Sequence, residues 1–421
     1  MKQKLLIISS FVPFPLVQGG SIAQYYFLEK LSAEFDIFFN PIVYSRAAEE
    51  AVKELTKALP AIKVIPFTYF VKESGPLEKL IQVARLFLNF LRKLMQTNKQ
   101  KEINKEKIAE TDDFNVIYPV ELYSKEYIQF VTGIIKKEEI KIVQLEFYDT
   151  LSLLKALPKH VKKIAVTHEI RSKRLLLAAK NSKASEDYKE YLINCSKLIE
   201  DNFLKNADQI IVFNEDDKNL LLQINQHVTV SPYGIPAELI IRNKVSDVFD
   251  HFLFIGGQRH DPNRAGLEWF LEEIYIANYD DIKLPIYVIG QWDDYFREKY
   301  KKYSKIVFTG IVEDLSSSYK NAIMVTPILS GSGLRTKILH AFVNKIPVMT
   351  TTFASEGLLN DVQANPHLIL FDNATSFMSE LKAFLNKPEK LQLLAQEGFN
   401  YYQKNFAENT LVSKRVEALL S

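Results

Sequence analysis

Two glycines and two cations lie close together in the run Gly331-Ser332-Gly333-Leu334-Arg335-Thr336-Lys337. The glycines predict a turn after the apolar strand candidate Ala322–Thr326, and the residues that follow predict a helix over Leu334–Val343. A helix start presents unpaired backbone N–H groups and the positive end of its dipole, which suits an anion. Arg335 and Lys337 would add two positive charges at that end. Cations there are unfavourable by themselves, so they ask for an anionic partner. The diphosphate of a sugar nucleotide is the expected ligand. An ordinary loop with two solvated basic side chains is the plainer alternative, and local sequence alone favours it.

Other candidates sit where strands end. Leu5–Ser9 reads as a buried strand, and the loop after it carries Gly19 and Gly20 ahead of a helix pattern from Ile22 to Leu31. Those glycines would let backbone approach a ligand closely, although a simple β-α turn fits the spacing equally well. Neither they nor Gly256 and Gly257, which follow the strand candidate Phe252–Ile255, have the spacing of a dinucleotide fingerprint. Glu146 and His168 each fall just past a buried strand candidate, Lys141–Leu145 and Lys163–Thr167 respectively. Open α/β sheets build sites at such positions. A lone histidine is more often structural.

These residues need a scaffold, and the chain supplies two successive strand–helix series. The first runs from Leu5 to Val228–Ser231, the second from Phe252 to His367–Phe371. Each starts with a strand and a Gly-Gly turn, and the polar stretch Asn243–Asp250 separates them. Two doubly wound parallel-sheet domains facing a cleft are therefore expected. We place their boundary at 240/241, with the second domain running to 407. At 421 residues the chain suits two domains, and 47% hydrophobic with 25% charged residues is ordinary for a globular protein. A net charge of +2 gives no reason to expect nucleic acid. Cys195 is the only cysteine, which excludes an internal disulfide and fits a reducing cytoplasm. No run approaches the roughly 18 apolar residues of a membrane span. Leu77 to Met95 carries an apolar helical stripe, and four lysines follow by Lys107. It reads as a core-facing helix or as a membrane-surface helix, and the first fits more such sequences.

The second half resembles retaining nucleotide-sugar glycosyltransferases of family 4 (group 1 glycosyltransferases), which have the GT-B fold. The matching segments are Phe254-Ile255-Gly256-Gly257 through Asn263, Phe308 through Leu315, Gly331 to Ala341, and Pro347 through Glu356-Gly357. In the first half the Pro13–Ser21 loop, Ala207-Asp208, Asn214-Glu215 and Ser231-Pro232-Tyr233-Gly234-Ile235-Pro236 also resemble family members. The resemblance implies a C-terminal domain that binds the sugar donor and an N-terminal domain that takes a glycan or lipid-linked acceptor. It places Gly256, Gly257, Gly331, Ser332, Gly333, Arg335 and Lys337 around the donor, with Glu356 and Gly357 near the sugar and phosphates. Gly19 and Gly20 would let the first loop close over the donor. His168 would contact the sugar near the reacting carbon, and a helix over 408–421 would pack back on the first domain. The implied setting is cytoplasmic, with peripheral contact at the inner face of the cell membrane if residues 77–107 lie on it.

The chain departs from the family twice. Two glutamates eight positions apart are common in relatives, and here those positions hold Ser332 and His340. Imidazole offers a ribose diol one acceptor and one donor, where carboxylate offers only acceptors. In the loop after Ile255, the usual Arg and Lys are Gly257 and Asn263. Arg335 and Lys337 would make up that charge. The resemblance implies transfer with no metal or other cofactor; no Asp-x-Asp occurs to clamp a metal on the diphosphate, and helix-end N–H groups with the two cations would stabilise the departing diphosphate. Three other functions fit parts of this reading. They are a non-catalytic binding or scaffold protein, motivated by His340, a sugar-nucleotide epimerase of the same fold, and, least well, a nicotinamide enzyme.

Overall fold

The computed structural model describes residues 2–69, 122–179, 182, 184–241, 244–312, 314–331, 333–356, 358, 367–385 and 387–421. The Leu77–Lys107 stretch, Ser332 and Gly357 therefore lie outside the described residues.

Among the described residues there are two parallel sheets. The first contains β1 (Gln3–Ser9), β2 (Phe35–Val43), β3 (Lys63–Val64), β4 (Phe67–Thr68), β5 (Ile142–Glu146), β6 (Lys162–Val166), β7 (Gln209–Val212) and β8 (Val228–Val230). Its order is β3-β2-β1-β5-β6-β7-β8, with β4 also paired to β2. The second contains β9 (His251–Ile255), β10 (Ile286–Ile289), β11 (Ile306–Gly310), β12 (Ala322–Thr326), β13 (Val348–Thr350) and β14 (Ile369–Leu370), in the order β11-β10-β9-β12-β13-β14. The central strands are buried along nearly their whole length, as their continuous apolar runs require when both faces are covered. Strand order reverses between β1 and β5 and again between β9 and β12, and α/β sheets open crevices for ligands at such reversals. The two Gly-Gly loops and the Gly331 turn follow β1, β9 and β12.

Contacts divide the chain into two compact units. One comprises 1–14, 35–166 and 170–208, the other 15–34, 167–169 and 209–421. The second unit thus holds Gly19, Gly20 and His168 together with the whole second sheet.

That sheet is covered by a core built on Phe252, Phe254, Leu267, Phe270, Ile286, Val288, Ile323, Val325 and Phe377. The apolar pattern after the Gly256-Gly257 loop predicts a helix over Gly266–Ile274, but the helix starts at Asp261, because Pro262 in its first turn lacks only an N–H that no helix start uses. Gly266 then falls inside the helix and packs on the loop after β12. A Cβ there would lie 2.1 Å from the carbonyl oxygen of Pro327. The Thr336–Val343 helix is backed by the helix Pro388–Asn405, where a Cβ on Gly398 would sit 2.5 Å from the Phe342 ring. The last helix, Glu408–Leu420, carries the fully buried Arg415. Its guanidinium donates to Ser231 Oγ at 2.9 Å and Ser231 O at 3.1 Å and lies 3.6 Å over the Phe27 ring.

Gly266→Ala is expected to destabilise the protein by about 1–3 kcal/mol, because the Pro327 carbonyl is main chain and cannot rotate aside. Thermal melting reads this directly. An unchanged midpoint would mean that the two segments separate freely.

Candidate active site

The helix that follows β12 begins at Thr336, two residues later than the apolar pattern suggests. Gly331 (φ +109°) and Gly333 (φ +83°) both adopt left-handed backbone, which glycine tolerates and other residues resist, so the chain turns twice before the helix. Gly333 meets a second demand. A Cβ on it would lie 2.5 Å from the backbone carbonyl oxygen of His168. The turn and the strand-end histidine are thus in contact. The imidazole of His168 stands edge-on to Phe213, with ring centroids 4.9 Å apart.

Gly19 opens the helix Gly19–Leu31, so both glycines of the first loop lie in its first turn rather than ahead of it. Neither has positive φ. Gly19 is needed for proximity, since a Cβ there would lie 2.7 Å from Thr336 Oγ1. The starts of two helices therefore meet at this point, and among the described residues no side chain caps either of them. Their partial positive charges add at one place.

Arg335 caps the second helix with its backbone. Its guanidinium lies 5.1 Å over the Phe353 ring, and one Nη donates to Gly331 O at 3.4 Å. Burial lowers its pKa, while Glu356, Asp217, Tyr233 and Glu169 oppose that by favouring the charge. Glu356, an exposed residue that ends the Thr352–Ser355 helix, is the strongest of the four. Glu169 and Asp217 carried no role in the sequence analysis. Asp217 is buried and is itself bound by its N-cap residue Asn214.

Lys337 turns toward the other glycine loop. Its ammonium donates to Asn263 Oδ1 and lies 5.3 Å over the Phe254 ring. Asn263 in turn donates to Gly257 O at 3.1 Å, and its side chain occupies the place where a Cβ on Gly256 would be. The loop after β9 is thus reached by a basic side chain from the helix that follows β12. Burial, and then the neighbouring Arg335, push Lys337 down to about 7.

His340 is buried one turn further along the helix, where burial pushes it down to about 4. Its Nδ1 is 3.5 Å from the Tyr319 hydroxyl, and its Nε2 has no hydrogen-bond partner among the described residues. The ring is neutral at ordinary pH and has one nitrogen to offer. Glu146, also buried, belongs to the first unit, where Gln144 donates to it at 2.5 Å. Among the described residues no three His, Cys, Asp or Glu side chains could together hold a metal, and no helix is long and apolar enough to cross a membrane.

The two parallel-sheet α/β halves are those of the GT-B fold. Sucrose-phosphate synthase from Thermosynechococcus elongatus is similar over 99% of this chain and 98% of its own, at 14% identity and TM-score 0.64. HepE from Anabaena, in complex with UDP and glucose, is similar over the whole of both chains, at 11% identity and TM-score 0.61. Residues 250–387 match the family model described as glycosyl transferases group 1. An uncharacterized 44.6 kDa protein in the cps region of Klebsiella pneumoniae is 21% identical, over 97% of this chain and 98% of that protein.

The buried His340 gives a pH test. The unfolded chain takes up its proton near pH 6.5, while the folded protein resists until about 4. Stability therefore falls as pH drops through that window. His340→Gln should flatten this part of a denaturant-midpoint profile, and a profile unchanged by the substitution would place the sensitivity elsewhere.

Proposed function

We propose that the chain is a retaining glycosyltransferase moving a hexose-type sugar from a UDP- or GDP-sugar to a glycan or lipid-linked acceptor. The observation that carries this is the meeting of two helix starts without side-chain caps, together with Arg335, Lys337 and His168, in one compact unit. Such a place meets the requirements of a leaving diphosphate. As the sugar–phosphate bond breaks, charge builds on the diphosphate oxygens, and fixed N–H dipoles with two cations stabilise it more than the ground state. His168 reaches the same turn and would contact the sugar near the reacting carbon.

The match to group 1 glycosyltransferases and the UDP and glucose held by HepE support a nucleotide-sugar donor. The relative in a cps region supports polysaccharide biosynthesis as the setting. The reading is metal-independent, with helix dipoles and cations in the place of a divalent ion, and cytoplasmic. Peripheral membrane contact would fall to residues 77–107. Gly256, Gly257, Gly331, Ser332, Gly333 and Gly357 would line the donor, Glu356 would face its sugar, and His340 Nε2 would bind a ribose hydroxyl. We take the acceptor domain as 1–240 with helix 408–421, and the donor domain as 241–407.

Arg335→Ala and Lys337→Ala are each expected to lower turnover by about 10²–10³ with an otherwise folded protein. Turnover assays with a panel of UDP- and GDP-sugars test this, and full activity in either variant would remove that residue from the chemistry. If no donor of the panel shifts the melting temperature of the wild type, a non-catalytic binding protein is the better reading.

Lys337 adds a pH signature. Free, it titrates near 7; a bound diphosphate raises that value, so the complex holds more protons and binding takes one up above pH 7. Affinity for a nucleoside diphosphate should thus weaken as pH rises. Calorimetry around pH 8 in buffers of different ionisation heat should show proton uptake that Lys337→Met abolishes. Uptake equal in both proteins would assign the proton to another group.

A further inference from the structure

Three residues past the end of β8, Tyr233 is buried at 2% exposure. Its hydroxyl shares a 2.6 Å hydrogen bond with Thr336 Oγ1, at the first residue of the helix and between Arg335 and Lys337. Its ring meets Phe213 edge to face, centroids 4.9 Å apart at 76°. Phe213, one residue past β7, meets the imidazole of His168 in the same way, at 4.9 Å and 86°. His168 returns through its carbonyl to Gly333, three residues before Thr336. The contacts close a circuit: Thr336, Tyr233, Phe213, His168, Gly333 and back along the chain. Edge-to-face aromatic pairs and a short hydrogen bond are directional, so the circuit fixes orientation as well as distance. Burial pushes the phenol up to about 12, which keeps the hydroxyl neutral at any working pH.

We propose that Tyr233 is a positioning residue, locking the helix start that presents Arg335 and Lys337 to the imidazole of His168. It touches neither phosphate nor sugar in this scheme. Its effect is to hold the group at the leaving diphosphate and the group at the reacting carbon in one register, and loosening such a register slows a reaction that depends on alignment. The inference rests on the nucleotide-sugar reading of the site, but the circuit itself can be examined without a donor.

Two variants remove the same hydrogen bond from opposite ends, Tyr233→Phe and Thr336→Val, and the double variant removes nothing further. Hydrogen–deuterium exchange on the ligand-free protein should rise several-fold over 334–340 and over 167–170 in each single variant, with no added rise in the double. Donor kcat/KM should fall roughly tenfold in all three, as one lost hydrogen bond predicts, with acceptor KM unchanged. Exchange that rises only over 334–340, or losses that add in the double variant, would overturn the proposal. Both variants keep the buried aromatic ring, and either one carries the test if the other does not fold. A wild type that binds no nucleotide sugar would sink the functional reading, while the exchange result would still decide the role of Tyr233.

Discussion

Gly333 has its ideal Cβ position 2.5 Å from the His168 carbonyl, and its φ of +83° would strain any side chain in any case. This one close approach joins the turn before the Thr336–Val343 helix to the loop after β6. The other site contacts depend on it. Thr336 can reach Tyr233 and Gly19 only if the turn is seated, and Arg335 lies among carboxylates from three segments only because those segments are already assembled. A methyl group at residue 333 would act on all of them at once.

The electrostatics of the site are balanced rather than simply positive. Arg335 is offset by Glu356, Asp217 and Glu169, and Lys337 is held near neutrality by burial and by its cationic neighbour. An approaching anion would change these charges as well as bind to them. It would draw a proton to Lys337 and compete with the carboxylates for Arg335. The glycine loops supply proximity more than charge. Gly256, for example, is filled by Asn263 on one side, while its carbonyl accepts from Trp292 Nε1 at 2.9 Å.

Much of the fold could be read from sequence because it rests on local signals. Continuous apolar runs marked the strands, and glycines marked the turns after β1, β9 and β12. Element ends moved by a few residues where a local rule outweighed periodicity, as at Pro262 and at the glycines that joined the first helix. The cations at 335 and 337 were legible for the same reason. What stayed hidden was pairing across distance. The Tyr233–Thr336 bond spans 103 positions and the Lys337–Asn263 bond 74, and no periodicity encodes either. Tyr233 did leave a trace, as an aromatic between proline and glycine just after a strand. Its hydroxyl partner left none. The burial of His340 could have been inferred from its helix, where Ile338, Leu339, Ala341, Phe342 and Val343 leave almost no polar face.

Arg415 sets an order of events during synthesis. Ser231 and Phe27 are translated first, and the guanidinium that binds one and covers the other arrives last, 184 positions after Ser231. Until then the segment that leads into Tyr233 lacks its fastening, and the backbone carbonyl of Ser231 lacks that donor. A nascent chain of this protein therefore cannot complete the strand-end that supports the site until Arg415 has been made. Completion of the second unit thus waits on the helix Glu408–Leu420, made far later than the strand-end it fastens.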